Sequence, residues 1–236
     1  MRKLFFLPFF ISMFQLMASC TKQNNFVYSA TVINDTLYKS YLALGDSYTI
    51  GQSVAAADRF PAQAISLIAN DSLRFLAPEY IAVTGWTTRN LLNSINSNPP
   101  TKSNYDFVSL LIGVNNQYQG RSQAEYRTEF TDLLNIAIRY AGNRPSRVAV
   151  LSIPDWSATP FASGQDTALI RKQIDSFNLI NKQITLAKGV QYIDITPSAR
   201  MALTDPSLVA GDGLHPSGKE YKKWATLLAN FMKTVL

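Results

Sequence analysis

Three side chains of this sequence have the types and the setting for nucleophilic chemistry. Ser47 follows an apolar run from Tyr41 to Leu44. His215 is the only histidine in the chain, and Asp212 lies three positions before it. A serine hydroxyl needs a base with a pKa near 7 to remove its proton, and an acid to orient that base. The sequence offers one histidine for that task, with a carboxylate close enough to fix its tautomer.

The stretch before Ser47 predicts a buried strand that delivers the serine to a sheet edge. Four or five apolar residues suit a core strand. Gly45 is expected to allow a sharp reversal, since glycine tolerates dihedral angles that other residues avoid. A helix N-terminus beyond Ser47 would direct free backbone N–H groups at the group under attack. An ordinary strand-to-loop exit with a capping serine fits this stretch equally well.

An attacked carbonyl develops an oxyanion that needs hydrogen-bond donors already in place. Candidate donors are the backbone N–H groups of Ser47 and Gly85 and the side-chain amide of Asn115, because each follows a strand-like segment. Asp46, beside the serine, is interpreted as a hydrogen-bonding residue of the turn rather than as a catalytic acid. These positions together predict a site for attack on a carbonyl.

Strand-like and helix-like segments alternate through the chain. The strand segments are 41–46, 80–83, 107–112, 148–153 and 190–194, and the helices begin near 61, 87, 122, 166 and 217. The pairs Ser122/Glu125 and Ser217/Glu220 predict capping boxes. Several strands are apolar on both faces, as in a parallel sheet covered by helices on both sides. We therefore predict an α/β protein of three layers, α/β/α, with a five-stranded parallel sheet and ligands beyond the strands' carboxyl ends.

Four ordered blocks now carry a resemblance to a known family. They are Gly45-Asp46-Ser47, Gly85, Gly113-Val114-Asn115 and Asp212-Gly213-Leu214-His215. In order and spacing they resemble the blocks of the SGNH hydrolases, also called the GDSL esterase/lipase family, over roughly residues 41–231. The resemblance implies a flavodoxin-like α/β/α fold and a serine esterase without a metal or organic cofactor.

The resemblance also implies a role for each matching residue. Ser47 would be the nucleophile, His215 the base and then the acid that protonates the leaving group, and Asp212 the orienting acid. Gly85 and Asn115 would complete the oxyanion hole with the Ser47 N–H. A metal held by Asp212 and His215 is disfavoured, because no further histidine is available as a ligand.

The sequence departs from the family pattern at three positions. Tyr48 stands where a leucine usually follows the serine, and Asn116 replaces the aspartate that commonly follows the block asparagine, which leaves a supporting hydrogen bond open. Trp86 is bulkier than usual and is expected to narrow the acyl or alcohol pocket. Trp86, Asn116 and Tyr118 are candidate substrate contacts. Thr49 removes the second glycine of the α/β-hydrolase elbow, which argues against that other esterase fold.

Two further segments at predicted strand ends or loops have open interpretations. Asp155-Trp156 follows a predicted strand and suits either a lining of the site or an anchor for a loop. Phe161 is a further possible substrate contact. Neither segment has a spacing that decides its role.

The N-terminus has the pattern of a secretory signal. Arg2 and Lys3 precede an uncharged apolar stretch, which is too short to cross a bilayer. The segment that ends at Cys20 resembles a bacterial lipobox, in which the cysteine becomes the lipidated first residue. We predict a signal peptide at 1–19, a lipidated tether at 20–37 and a hydrolase domain at 38–236. A simple cleaved signal with a stray thiol remains the alternative.

Charge and composition restrict the classes of partner. The formal net charge is +6, and removal of residues 1–19 with Arg2 and Lys3 leaves +4. The charge is spread along the chain, without the basic cluster expected of a nucleic-acid binder.

The sequence predicts a lipid-anchored protein of the bacterial cell envelope that cleaves carboxylic esters, with short acyl esters, acetylated glycans and lysophospholipids as open substrates. Its rival is a non-catalytic glycan- or lipid-binding lipoprotein on the same fold.

Overall fold

A computed structural model gives the structure of residues 38–70 and 72–236. The predicted signal peptide at 1–19, the lipidation site at Cys20 and the tether at 20–37 lie outside the described residues. Within the described ranges, no helix combines the length and the apolar character that a membrane span requires.

The core of the protein is a parallel sheet of five strands. The strands are β2 (Tyr41–Asp46), β4 (Glu79–Val83), β5 (Phe107–Leu111), β6 (Val148–Leu151) and β7 (Gln191–Ile193), in the spatial order β4-β2-β5-β6-β7. All neighbouring pairs are parallel, and the register places Leu44 beside Ile81 on one side and Leu110 on the other. This is the flavodoxin-like order, in which the strand sequence reverses at β2. The predicted five-stranded parallel sheet is confirmed.

Helices cover both faces of this sheet. They are α1 (Ser47–Ile50), α2 (Phe60–Ile68), α3 (Thr88–Ser97), α4 (Val114–Tyr118), α5 (Gln123–Tyr140), α6 (Thr167–Ala187), α7 (Thr196–Arg200) and α8 (Gly218–Val235). Helices α2 and α8 pack against each other, and α5 packs between α3 and α6. The sequence predicted the long helices because each has an apolar stripe; in α5 the stripe Tyr126, Phe130, Leu133, Leu134 and Ala137 is fully buried. The α/β/α fold is therefore confirmed.

Two details differ from the predictions. A second sheet of two short strands, β1 (Tyr38–Lys39) and β3 (Arg74–Phe75), was not predicted, because two residues give no periodic signal. Ser217 does accept the Glu220 N–H as a cap should, but the Glu220 carboxylate bonds the Trp224 indole at 2.7 Å and ion-pairs with Lys223. The buried indole N–H needs an acceptor, and Glu220 supplies it.

Candidate active site

Ser47 lies where β2 passes directly into α1. Asp46 ends the strand and caps the helix, since its carboxylate accepts the Tyr48 N–H at 3.0 Å. Ser47 is therefore the first residue of a helix, and its backbone N–H belongs to the turn whose donors find no carbonyl within the helix. Ser47 is only 4% exposed, and it lines a small cavity.

Gly45 is required for a different reason from the one the sequence suggested. It lies inside β2 and is absent from the residues with positive φ among those described. A Cβ at this position would meet Thr49 Oγ1 at 2.1 Å and the Leu111 carbonyl oxygen at 2.3 Å. The expectation of an unusual dihedral at Gly45 is thus wrong, and the glycine instead lets α1 approach the sheet closely.

Asp46 is fully buried beside the serine. Burial raises the pKa of its carboxyl from the usual value to about 7, against the opposing effect of hydrogen bonds from Tyr48 N–H and the Asn115 amide. One of its carboxylate oxygens accepts the Tyr48 N–H within the turn, which is the hydrogen-bonding role that the sequence indicated. Asp46 therefore differs from the ionised acid that would orient a histidine.

His215 is held by Asp212 through three contacts in one loop. His215 Nδ1 lies 2.6 Å from Asp212 Oδ2, while Asp212 Oδ1 accepts the backbone N–H groups of Leu214 and His215 at 3.0 and 2.9 Å. Ser53 donates its hydroxyl to Oδ2 at 2.6 Å. Partial burial alone would raise the pKa of Asp212, but these donors hold it well below its usual range. The carboxylate is thus ionised and fixes the Nδ1–H tautomer.

The loop that carries this pair is itself closed at its base. Val209 and Pro216 form an antiparallel bridge, and the Ala210 N–H donates to the His215 carbonyl at 2.7 Å. The His215 ring also packs on Tyr48, with ring centroids 5.0 Å apart. Helix α1 and the C-terminal loop are therefore in direct contact.

Ser47 and His215 line one cavity of about 130 Å³, which we call the Ser47 cavity. The structure thus brings together the two residues that the sequence placed in one mechanism. Among the described residues no hydrogen bond joins the Ser47 hydroxyl to the His215 ring. Such bonds are often long in ligand-free sites and shorten when substrate binds.

Gly85 and Asn115 face the same cavity from the ends of β4 and β5. Gly85 takes φ +81 in a turn that follows β4, and no acceptor among residues 38–70 and 72–236 takes its N–H. Asn115 Nδ2 donates to the Trp86 carbonyl at 3.0 Å and lies 3.5 Å from Asp46 Oδ2. The second contact is a long and therefore weak hydrogen bond, which a stronger acceptor such as an oxyanion can replace.

Asn116 has a structural role, and the expectation that it contacts substrate is wrong. It is fully buried; its Oδ1 accepts the Thr88 N–H at 3.0 Å and its Nδ2 donates to Thr88 Oγ1 at 2.7 Å. The Thr88 hydroxyl in turn donates to Glu129, which ion-pairs with Arg89 at 2.6 Å. Because Glu129 takes the hydroxyl proton, position 116 must supply a donor, and asparagine does so where aspartate would not.

Trp86 does not line the Ser47 cavity. Its half-buried side chain packs against the hydrophobic core, and its carbonyl accepts the Asn115 amide. The expectation that its bulk narrows the acyl or alcohol pocket thus has no support at the Ser47 cavity and stays a prediction.

Three aromatic side chains stand at the other wall of the cavity. Tyr118, Trp156 and Phe161 line it and contact one another, with ring centroids 5.4 to 6.1 Å apart. Tyr118 was predicted as a substrate contact and is 56% exposed at this wall. Asp155 is the loop anchor of the segment, because it is buried and bonds Arg200 Nε at 2.7 Å. In the segment Asp155-Trp156, Trp156 therefore lines the cavity and Asp155 anchors the loop.

Ser53 is the site residue that the sequence did not indicate. It is an exposed loop serine 159 positions from its partner Asp212, and no local pattern marks it. Within the described residues, no three histidine, cysteine or acidic side chains are grouped as metal ligands would be.

Solved structures of hydrolases share this fold at low sequence identity. An acetyl xylan esterase from Geobacillus stearothermophilus matches with a TM-score of 0.62 at 18% identity, over 84% of this chain and 96% of that one. A lipase/acylhydrolase from Enterococcus faecalis gives a TM-score of 0.62 at 18% identity, over 83% and 96%. A lipolytic protein of the G-D-S-L family from Veillonella parvula gives 0.59 at 16%, over 84% and 97%. At these identities the likeness establishes the fold alone.

No curated protein sequence matches the chain significantly. A family model matches residues 43–223, a range that contains Ser47, Gly85, Asn115, Asp212 and His215. Since this match covers well over half of the chain, the protein belongs to the GDSL-like lipase/acylhydrolase family.

Proposed function

We propose that the protein is a serine esterase that hydrolyses carboxylic esters through an acyl-enzyme. Membership of an acylhydrolase family supports an ester-hydrolysing enzyme. One observation supports the assignment of the catalytic residues. The ionised Asp212 holds His215, with Oδ2 at 2.6 Å from Nδ1, in the wall of the same cavity that Ser47 lines. A serine, a histidine with a fixed tautomer and a carboxylate are the three parts that nucleophilic acyl transfer requires.

In the first half-reaction Ser47 Oγ attacks the ester carbonyl carbon. His215 Nε2 takes the hydroxyl proton, while Nδ1–H stays on Asp212. The tetrahedral oxyanion accepts hydrogen bonds from the Ser47 and Gly85 N–H groups and from the Asn115 amide. When the intermediate collapses, the bond from carbon to the alcohol oxygen breaks, and His215 returns its proton to that oxygen.

The second half-reaction releases the acid. Water attacks the acyl carbon and gives a proton to His215 Nε2. Collapse of the second intermediate breaks the bond to Ser47 Oγ, which receives the proton back from His215. The products are one alcohol and one carboxylic acid, and the enzyme returns to its starting state. No cofactor takes part in this scheme.

The size of the Ser47 cavity favours a short acyl group. Its volume of about 130 Å³ is below the roughly 300–1,000 Å³ typical of pockets for larger ligands. An acetyl xylan esterase among the structures of the same fold is consistent with this preference. We therefore favour short acyl esters over long-chain lipids as substrates.

A fluorophosphonate probe tests the nucleophile. It should label the wild type and fail to label Ser47→Ala, because the probe reacts only with an activated serine. Ser103→Ala is the matched control: Ser103 is exposed and precedes β5 at the opposite end of the sheet. Labelling of folded Ser47→Ala would exclude the nucleophile assignment. A wild type that is never labelled and cleaves no ester would favour the non-catalytic binding protein.

We also propose that Cys20 anchors the enzyme to a bacterial membrane in the cell envelope. The support is the lipobox-like segment that ends at Cys20. In a bacterial host the wild type should incorporate radiolabelled palmitate and sediment with membranes, whereas Cys20→Ser should do neither. Palmitate incorporation by Cys20→Ser would contradict the anchor.

A further inference from the structure

The aromatic wall of the Ser47 cavity continues beyond the cavity. Tyr118 and Phe161 are 56% and 45% exposed, and the buried Trp156 packs edge-on against both. We call these three residues the aromatic cluster. Large aromatic rings left half in water beside a reactive serine are typical of a binding surface, since a protein gains nothing in stability from exposing them.

A second depression lies on the other side of Tyr118 and Trp156. It has a volume of about 330 Å³, and its polar lining comes from Gln117, Gln165, Asp166 and Gln173. We call it the amide groove. It shares Tyr118 and Trp156 with the Ser47 cavity, so the two are neighbours along one surface.

The amides of this groove are oriented by a hydrogen-bond relay. Trp156 Nε1 donates to Gln117 Oε1 at 2.7 Å, and Gln117 Nε2 donates to Gln173 Oε1 at 2.7 Å. The Gln173 oxygen is thereby occupied, and no acceptor in the described residues takes its amide hydrogens. Asp166 uses Oδ1 to cap α6 through Leu169 N–H and leaves Oδ2 for another donor. The groove thus presents fixed donors beside a free acceptor.

We propose that the amide groove binds the sugar part of an acylated carbohydrate while the acyl group occupies the Ser47 cavity. This inference rests on the proposed esterase function and names its substrate class. Sugar hydroxyls both donate and accept, which matches the Gln173 amide hydrogens and Asp166 Oδ2. The apolar face of a sugar ring stacks on an exposed aromatic ring such as Tyr118.

The charges of the groove argue against a phospholipid. No lysine or arginine lines it within the described part of the chain, and the Asp166 carboxylate would repel a phosphate. A fatty acyl chain fits no better, because it would remove the Gln173 amide hydrogens from water without replacing their hydrogen bonds. An uncharged polyhydroxylated group avoids both costs.

The first experiment compares acetyl esters that have different alcohols, with a lysophospholipid as the lipid substrate beside them. The wild-type enzyme is assayed on acetylated xylo- and gluco-oligosaccharides, triacetin, p-nitrophenyl acetate and a lysophospholipid. We expect the carbohydrate acetates to exceed triacetin in kcat/KM by tenfold or more, the equivalent of one or two hydrogen bonds. Equal values for triacetin, or a preference for the lysophospholipid, would overturn the inference.

The second experiment assigns that preference to the groove. Gln173→Leu and Tyr118→Ala should each lower the ratio of kcat/KM for oligosaccharide acetate to that for p-nitrophenyl acetate by about tenfold. Tyr118→Phe keeps the ring and should keep most of the ratio. Gln183→Leu is the matched control, because Gln183 is exposed on the same helix outside the groove, and both activities should stay unchanged.

A binding measurement separates this inference from the proposed function. Free xylotriose should inhibit p-nitrophenyl acetate hydrolysis competitively, and Gln173→Leu should weaken that inhibition about tenfold. If simple esters are cleaved but xylotriose does not inhibit and the ratios do not change, the sugar subsite is excluded and the esterase stands. If no ester is cleaved by folded enzyme, the proposed function fails first.

Discussion

The hydroxyl of Ser53 donates to Asp212 Oδ2 at 2.6 Å, on the oxygen that also faces His215 Nδ1. Ser53 adopts φ +66, a left-handed conformation that is uncommon for a residue with a side chain. The bond ties the loop after α1 to the C-terminal loop. It links the Asp212 carboxylate to the segment that follows Ser47 in the chain.

Removal of this hydroxyl should weaken catalysis through Asp212. We expect Ser53→Gly and Ser53→Ala each to lower kcat roughly tenfold, the low end for a hydrogen bond to a charged group because the site is exposed. The kcat of both variants is measured with p-nitrophenyl acetate and compared with that of the wild type.

The two variants distinguish the effect of the hydroxyl from the effect of the backbone conformation. Glycine adopts φ +66 without strain and alanine does not, so Ser53→Gly should be the more stable of the pair in denaturant unfolding. Both should share the loss of activity. Full activity in Ser53→Gly would show that only the backbone matters at this position.

Asp212→Asn should reduce kcat by roughly 10⁴, because the amide would stabilise the wrong tautomer of His215. Thermal unfolding serves as the control for folding. His215→Ala should reduce kcat by a similar or larger factor. Losses below tenfold in both folded variants would exclude the proposed triad.

Asn115→Ala should lower kcat by about 10² to 10³ with little change in KM. The amide hydrogen acts on charge that develops only in the transition state, so ground-state binding should be nearly unaffected. Steady-state kinetics on p-nitrophenyl acetate give both constants. A rise in KM at constant kcat would instead assign Asn115 to substrate binding.

The parts of the fold that the sequence predicted are those with a periodic or continuous apolar signal. The run from Tyr41 to Leu44 is buried, and the parallel arrangement of the sheet follows from the alternation of strands and helices. The strands β1 and β3 have two residues each and give no such signal. The local sequence pattern was therefore sufficient to predict the sheet and the position of Ser47 at the carboxyl end of β2.

The roles that the sequence could not predict depend on contacts between distant segments. Asn116 meets Thr88 from 28 positions away, and Ser53 meets Asp212 from 159 positions away. Trp86 directly follows Gly85, which lines the Ser47 cavity, but its own side chain packs against the hydrophobic core. Side-chain direction and long-range partners are properties of the folded chain, and no single stretch encodes them.

The buried chain from Asn116 through Thr88 to Glu129 predicts the effect of restoring the usual family residue. Asn116→Asp would leave two carboxylates competing for the one hydroxyl proton of Thr88, so we expect a loss of about 1–3 kcal/mol in unfolding free energy. Glu129→Gln removes one competitor, and the double variant should recover part of the loss. A double-mutant cycle from urea unfolding measures this coupling. Strictly additive effects would contradict the network.

The buried carboxyl of Asp46 predicts a pH dependence of stability. Its pKa is about 7 in the folded state and about 3.9 when unfolded, so the folded state binds more protons between these values. Stability from this group is fully present below pH 4 and is lost as pH rises through 7. The total is on the order of 4 kcal/mol.

Asp46→Asn keeps a helix cap and cannot titrate. The stability of wild type minus that of Asp46→Asn should therefore fall by this amount between pH 4 and pH 8 in urea unfolding. A difference that is constant with pH would show that Asp46 is ionised throughout.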